Sequence, residues 1–354
     1  LNRLVSGSTW LTLKEGTNIF RVEAVRGVKK LADEFQIPAL EGEELYNIFF
    51  QMRLDHPEIF WVSSYKYRYY KDSPNLIFIP EYLFDKKKIC EHQKAMTARV
   101  EKLIRLAQKL SEWEKEKYVH DFICENIRYD KLKKSYSHEI IGPLGQGVGV
   151  CEGIAKAVKV LLDALGVWCV IAICGNNPEK GIKYRHTWNI VKIGNAYYYV
   201  DATWDSENKG YGYSYFLKGS EDFSGHDCTA VTHEIIDSYA ISKTAFDLNA
   251  SADYTKVDQA IASIPSDLTI YTDESVAAVN QAKNSVVRGK KVTEQTSVNA
   301  MAEAINNAVA NLELKPFTYS IAYTKLNQSV IGGIATTDIL RKAESLICSN
   351  EGNY

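Results

Sequence analysis

The sequence predicts an α+β core, with a cysteine-headed helix packed on an antiparallel sheet, followed by an all-α three-helix bundle. Three observations predict it. After Cys151, apolar residues recur at Ile154, Ala157, Val158, Leu161, Leu162 and Leu165. Steps of three and four mark an amphipathic helix, and Gly166 suits its C-terminal cap. Next, HTWNIVKI (186–193) and AYYYVDAT (196–203) flank Gly194-Asn195, the pattern of a β-hairpin closed by a two-residue turn. Finally, the composition changes after residue 245. From 251 to 314 there is no Cys or Trp, and three helical segments follow one another: Tyr254–Ile264, Asp273–Arg288 and Gln295–Leu312. Val298, Met301, Ala302, Ile305, Val309 and Leu312 form a stripe on the third, as a helical bundle requires.

The first two elements can build one chemical device. Cys151 heads its helix, where open N–H groups and the macrodipole favour a negative sulfur and can also hold an oxyanion. A hairpin turning at 194–195 puts Asp201 opposite Trp188 and His186 opposite Thr203, with all four on one face of the ribbon. His186 and Asp201 then become diagonal neighbours, roughly 7–8 Å apart at the backbone and within side-chain reach. A carboxylate can fix the imidazole tautomer while the other ring nitrogen faces the thiol.

Cys-Glu-Gly-x-Ala-Lys-Ala from Cys151, His-x-Trp-Asn from His186 and Tyr-x-Val-Asp-Ala-Thr-Trp-Asp from Tyr198 together resemble the bacterial transglutaminase-like superfamily, a circularly rearranged relative of papain-type proteases. The resemblance runs over about residues 40–235, with DHPEIFWV, VHDFICENIRYD and YFLKGSEDFSGHD as supporting segments. It implies a papain-like core in which Cys151 is the nucleophile, His186 the general base and acid, and Asp201 the orienting carboxylate. Thr187 stands where the family usually has Ala. Papain-type enzymes place a glutamine upstream of the cysteine in the oxyanion hole, which makes Gln146 a candidate. Gly149, Trp188 and Trp204 are candidates to line the cleft. The helical segments resemble the FIVAR module of Gram-positive surface proteins, which implies a secreted or wall-associated protein and glycan or peptidoglycan contact.

The remaining elements follow in chain order. Residues 1–40 are expected to form an N-terminal extension packed on the core, with a strand hinted by LVSGSTWLTL and a short helix in RVEAVRGVKKLADEF. The catalytic domain is expected over 41–245, the bundle over 251–314, and a tail or further module over 315–354. Glu43–Met52 predicts a helix, and Phe60–Tyr70 and Leu76–Phe84 predict paired strands. The aromatics from Tyr65 to Tyr70 are expected to serve sheet packing rather than binding. Lys86–Leu110 predicts one long helix. Ser111-Glu112-Trp113-Glu114 then fits a capping box opening another, which carries His120, expected to be a surface or structural histidine rather than a catalytic one. The glycines at 142, 145, 147 and 149 do not make a nucleotide fingerprint. They suit backbone crowding at the entry to the cysteine helix.

Composition narrows the function. Of 354 residues, 45% are hydrophobic and 24% charged, and the net charge of −2 offers no case for nucleic acid. No run is long enough to span a membrane. Seven cysteines are scattered at 90, 124, 151, 169, 174, 228 and 348, without scaffold spacing. Those at 124, 169 and 174 are expected to be buried thiols. Cys169 and Cys174 should face opposite sides of a strand. His226, Cys228 and His233 lack a fourth ligand, so no metal and no cofactor is expected. The expected function is an extracellular thiol enzyme acting on a peptide or protein. Peptide or isopeptide hydrolysis is preferred, with glutamine–lysine cross-linking and a non-catalytic adhesion scaffold as alternatives.

Overall fold

The computed structural model describes residues 24–174, 186–207, 212–223, 225–226 and 239–316. The strand expected in LVSGSTWLTL, the loop at 175–185, Cys228, His233 and nearly all of the expected tail lie outside the described residues.

The chain first builds a small antiparallel sheet of β1 (Phe35–Pro38), β2 (Val62–Arg68) and β3 (Asn75–Tyr82), ordered β1-β3-β2. Helix α1 (Gly42–Asp55) packs its buried face, with Leu45, Ile48, Phe49 and Met52, into the core beneath it. Residues 24–29 are helical and bury Ala24 and Val28 in the same core. Tyr65 stacks on Phe78 at 4.9 Å and meets Phe49 edge-on at 4.7 Å. Sheet packing does not extend along the ladder, because Tyr67, Tyr69 and Tyr70 are 47%, 63% and 55% exposed. Only the inward side of the pleat meets the helix.

Helix α2 (Lys86–Ile104) ends six residues short of the predicted Leu110. The amides of Ala107 and Leu110 bond three residues back, to Ile104 and Ala107, and this tighter winding ends the α-helical ladder. It delivers Ser111 to cap α3 (Glu112–Asn126), where the capping box forms as predicted, with the Ser111 amide donating to Glu114 at 3.0 Å.

A two-residue parallel ladder, β4 (Arg128–Tyr129) with β5 (Val148–Gly149), leads into α4 (Cys151–Leu165). Gly166 ends α4 with φ 74°, as its composition predicts. The second sheet is antiparallel, β6 (Cys169–Cys174), β7 (His186–Ile193) and β8 (Ala196–Val200), ordered β6-β7-β8. Helix α4 packs on β6 and β7 and also touches α2 and α3. Cys169 joins the core shared with α4, whereas Cys174 packs with Trp188 and Phe223 on the far face, as the odd spacing requires. Cys90, Cys124, Cys151, Cys169 and Cys174 are all free thiols.

The hairpin register holds as predicted, from Ile193 opposite Ala196 to Asn189 opposite Val200. Gly194 takes the positive φ, 61°, at the turn. The ribbon is shorter than expected, however. Strand β8 stops at Val200 and α5 (Ala202–Glu207) follows at once, so Thr203 is helical and His186 pairs with Cys174 of β6 instead.

Three further helices follow: α6 (Thr255–Ala262), α7 (Asp273–Asn284) and α8 (Gln295–Ala310). Helix α8 packs on both others, and Val257, Ala260, Val298, Ala302 and Ile305 are buried together. Trp113 donates to the carbonyl of Val292 at 2.9 Å, and the Ser111 amide donates to Thr296 at 2.8 Å. The cap of α3 is therefore fastened to the start of α8. Among the described residues, no helix is long and apolar enough to cross a membrane.

Candidate active site

The site forms where the head of α4 meets the end of β8. Cys151 is the first residue of α4 and is partly exposed. Its N-cap is Val150, whose side chain cannot cap, so first-turn N–H groups stay open beside the sulfur. The helix head is packed very closely. A Cβ on Gly153 would lie 2.1 Å from the carbonyl oxygen of Ser137, which explains the glycine two places after the cysteine. One on Gly142 would lie 2.6 Å from the carbonyl oxygen of Tyr136. Of the loop glycines, Gly142 serves the close backbone approach that the sequence predicts and Gly147 takes a positive φ of 66°, whereas Gly145 and Gly149 face side chains.

The Glu152 and Lys156 of the same motif lock the helix from outside. Lys156, fully buried, bonds Glu139 at 2.9 Å and Glu152 at 2.8 Å. Arg53 of α1 pairs with Glu139, and His138 meets Glu152 at 3.0 Å. Burial would raise the Glu152 carboxyl, but Lys156, His138 and Arg53 outweigh it and hold the group well below the usual carboxylate range. Sequence reasoning missed this network. The spacing of Glu152 and Lys156, one helical turn apart, was its only local signal.

His186 opens β7. Its Nε2 lies 2.5 Å from Asp201 Oδ2, and the Cys151 thiol is near enough to act on the charge of its ring. Burial disfavours the imidazolium, yet the bond to Asp201 and the neighbouring Cys151 prevail and raise its pKa from 6.5 to about 9. Asp201 is 1% exposed. Burial would raise its carboxyl, but the bonds from His186 and His226 keep it below its ordinary value. Its other oxygen, Oδ1, accepts from the amides of Thr203 at 2.9 Å and Trp204 at 3.2 Å, so Asp201 also caps α5. Asn189 fastens the strand to the helix, its amide donating to the Ala155 carbonyl of α4 at 3.0 Å. His186 and Asp201 are thus bonded to each other, with Cys151 near them at the helix head.

The other predicted residues divide. Trp204 lies nearly parallel to His186, with ring centres 5.1 Å apart, and Trp188 does so at 6.0 Å. Trp204 is partly exposed; Trp188 is 1% exposed and its indole Nε1 has no partner. Trp188 therefore backs the histidine from inside the core. Gly149 is buried, and a Cβ there would press on Ile154 at 3.1 Å. Gln146 ends a π-helical turn over Ile141–Gln146 and is exposed. Tyr129 stands near the thiol; burial and the charge of Cys151 push its phenol up to about 12.

One neighbour was not foreseen in this role. His226 places Nε2 2.9 Å from Asp201 Oδ2, the same oxygen that His186 uses. The donor atoms of His186, Asp201 and His226 all lie within 4.8 Å of one another, the grouping among the described residues that could hold a metal ion.

Comparison with known proteins fits this geometry. Residues 97–202 match the transglutaminase-like superfamily. The matched segment holds Cys151, His186 and Asp201 and stops before His226. It points to an enzyme of the acyltransferase or cysteine-protease kind on a transglutaminase-like fold of mixed helices and sheets. A solved structure described as "Crystal structure of a TGase" aligns with a TM-score of 0.30 and 14% identity, covering 51% of this chain and 58% of that one. No curated protein matches.

Proposed function

We propose that the protein is an extracellular thiol enzyme that transfers acyl groups at amide bonds, with hydrolysis of a peptide or isopeptide as its main reaction. One observation carries this reading: a single imidazole, His186, is bonded to a buried carboxylate and stands beside a thiol at an open helix N-terminus. Cys151 thiolate attacks the carbonyl carbon, and the carbonyl electron pair moves onto oxygen. The first-turn N–H groups of α4 receive that oxyanion, with Gln146 the side-chain candidate. As the C–N bond breaks, His186 gives its proton to the leaving amine and a thioester remains. Water, deprotonated by His186, then releases the acid and restores the thiol.

The acceptor decides between cleavage and cross-linking, because the same thioester serves water or a lysine amine. The helices at 251–314 are proposed to be a FIVAR-like three-helix bundle that holds the enzyme near wall glycan or peptidoglycan. Incubating the protein with casein or wall peptides and a fluorescent amine tests the reading. Fragments without amine incorporation are expected, and none with Cys151→Ala. Incorporation without fragments would instead make it a cross-linking enzyme. Neither product would leave the adhesion scaffold.

A further inference from the structure

We propose that His226 is a positioning residue of this site: it holds the Asp201 carboxylate from a second side and so fixes His186 against Cys151. The inference deepens the acyl-transfer reading and rests on it. Asp201 accepts four hydrogen bonds. Two backbone amides hold Oδ1, and two imidazoles hold Oδ2, His186 at 2.5 Å and His226 at 2.9 Å. With His226 removed, the position of Oδ2 would depend on the catalytic ring itself.

His226 is well placed to be the fixed partner. Its side chain is 0% exposed, against 16% for His186. Phe223 stacks on it at 3.8 Å, Trp204 lies at 4.3 Å and Trp188 meets it edge-on at 4.9 Å. The catalytic imidazole must exchange protons and faces the opening, whereas the second imidazole is clamped among aromatic rings. Among the described residues, the titratable groups around His226 are His186 on β7, Asp201 after β8 and Tyr215, whose ring centre is 5.5 Å away; Cys151 lies beyond His186.

A resident divalent cation between the same three residues fits less well. Two ligands of one tetrahedral zinc, at bonds of about 2.0–2.1 Å, stand about 3.3 Å apart. The separations of 2.5 and 2.9 Å are those of shared protons. The cluster is built around hydrogen bonds rather than around an ion.

Two substitutions separate positioning from packing. His226→Gln keeps a donor near the Nε2 position and loses the ring. His226→Phe keeps the ring and loses the donor. The readout is the iodoacetamide labelling rate of Cys151 against pH, resolved by peptide mass spectrometry on the full chain. It needs no substrate, so it reports on the thiol–imidazole pair whether or not any amide is cleaved. His226→Phe is expected to move the acid limb up by about one pH unit, a tenfold loss of rate on that side. His226→Gln is expected to keep the wild-type profile within about twofold. If His226→Phe does not fold, His226→Asn, whose amide stops short of Oδ2, is expected to shift the profile in the same way. A profile unchanged by loss of the donor, or one lost in His226→Gln and kept in His226→Phe, would overturn the proposal.

Discussion

Two Cys–His–Asp clusters stand out among the described residues, and only one has its thiol at the head of a helix. In the first, Cys151, His186 and Asp201 come from a helix head, a strand and a helix cap. In the second, Cys124 and His120 lie one turn apart inside α3, and His120 Nε2 meets Asp205 Oδ2 at 3.0 Å. The residue types are the same, but the surroundings differ. Cys124 is buried, and its sulfur is 3.7 and 3.8 Å from the two ring nitrogens of His120, so neither nitrogen is aimed at it. It sits near the end of a helix rather than at its positive head. His120 is 1% exposed and Asp205 fully buried, with Phe216 and Tyr213 against the imidazole. The bonds to Asp121 and Asp205 outweigh burial and hold its pKa well above the ordinary value. That cluster is a buried ion pair joining α3 to α5. Chemistry follows from an open helix head and access to solvent, not from the three residue types.

The comparison can be tested from its largest expected effect downward. Cys151→Ala should cut turnover at least 10³-fold, about 4 kcal/mol in the barrier, while Cys124→Ala should leave it within about threefold. Steady-state kinetics on any amide the enzyme accepts checks both. The histidines should behave in the opposite sense for stability. His120→Asn leaves Asp205 buried without its cation and should cost about 3 kcal/mol in a denaturant melt, whereas turnover of the folded fraction persists. Turnover should also fall above about pH 9 as His186 loses the proton it gives to the leaving amine.

A smaller effect is expected at Glu116, beside the second cluster on α3. Both its carboxylate oxygens are buried without a partner, and burial raises its pKa from 4.5 to about 7. The folded state therefore holds a proton that the unfolded chain releases above pH 4.5. Stability from this group is present below 4.5 and declines as pH rises through 7. Glu116→Met should remove that decline, gaining about 2–3 kcal/mol over wild type at pH 8 and much less at pH 5. Melts at the two pH values check it.

Much of this site was legible because its supports are periodic. The 3.6-residue stripe places Cys151 at a helix head, and a two-residue turn at 194–195 leaves one register for the hairpin, the register found. The motif residues then carry the resemblance. What was not legible depends on contacts distant in sequence. Asp201 leaves its strand because it caps a new helix, and alternation alone carried the ribbon three residues too far, to Thr203. An aspartate before Ala-Thr-Trp was a usable capping signal. His226 follows Asp201 by 25 residues with no periodic pattern between them, and Arg53 and Glu139 come from segments far upstream. The end of α2 at Ile104 was missed because neither Gly nor Pro marks it.

The most direct test of the central claim sets the two thiols against each other. Intact protein is treated with limiting iodoacetamide at pH 6, and labelling of Cys151 and Cys124 is followed by peptide mass spectrometry. A thiolate paired with His186 at an open helix head predicts Cys151 modified at least tenfold faster than Cys124, with the difference lost on unfolding. Equal rates in the folded protein, or faster labelling of Cys124, would contradict it.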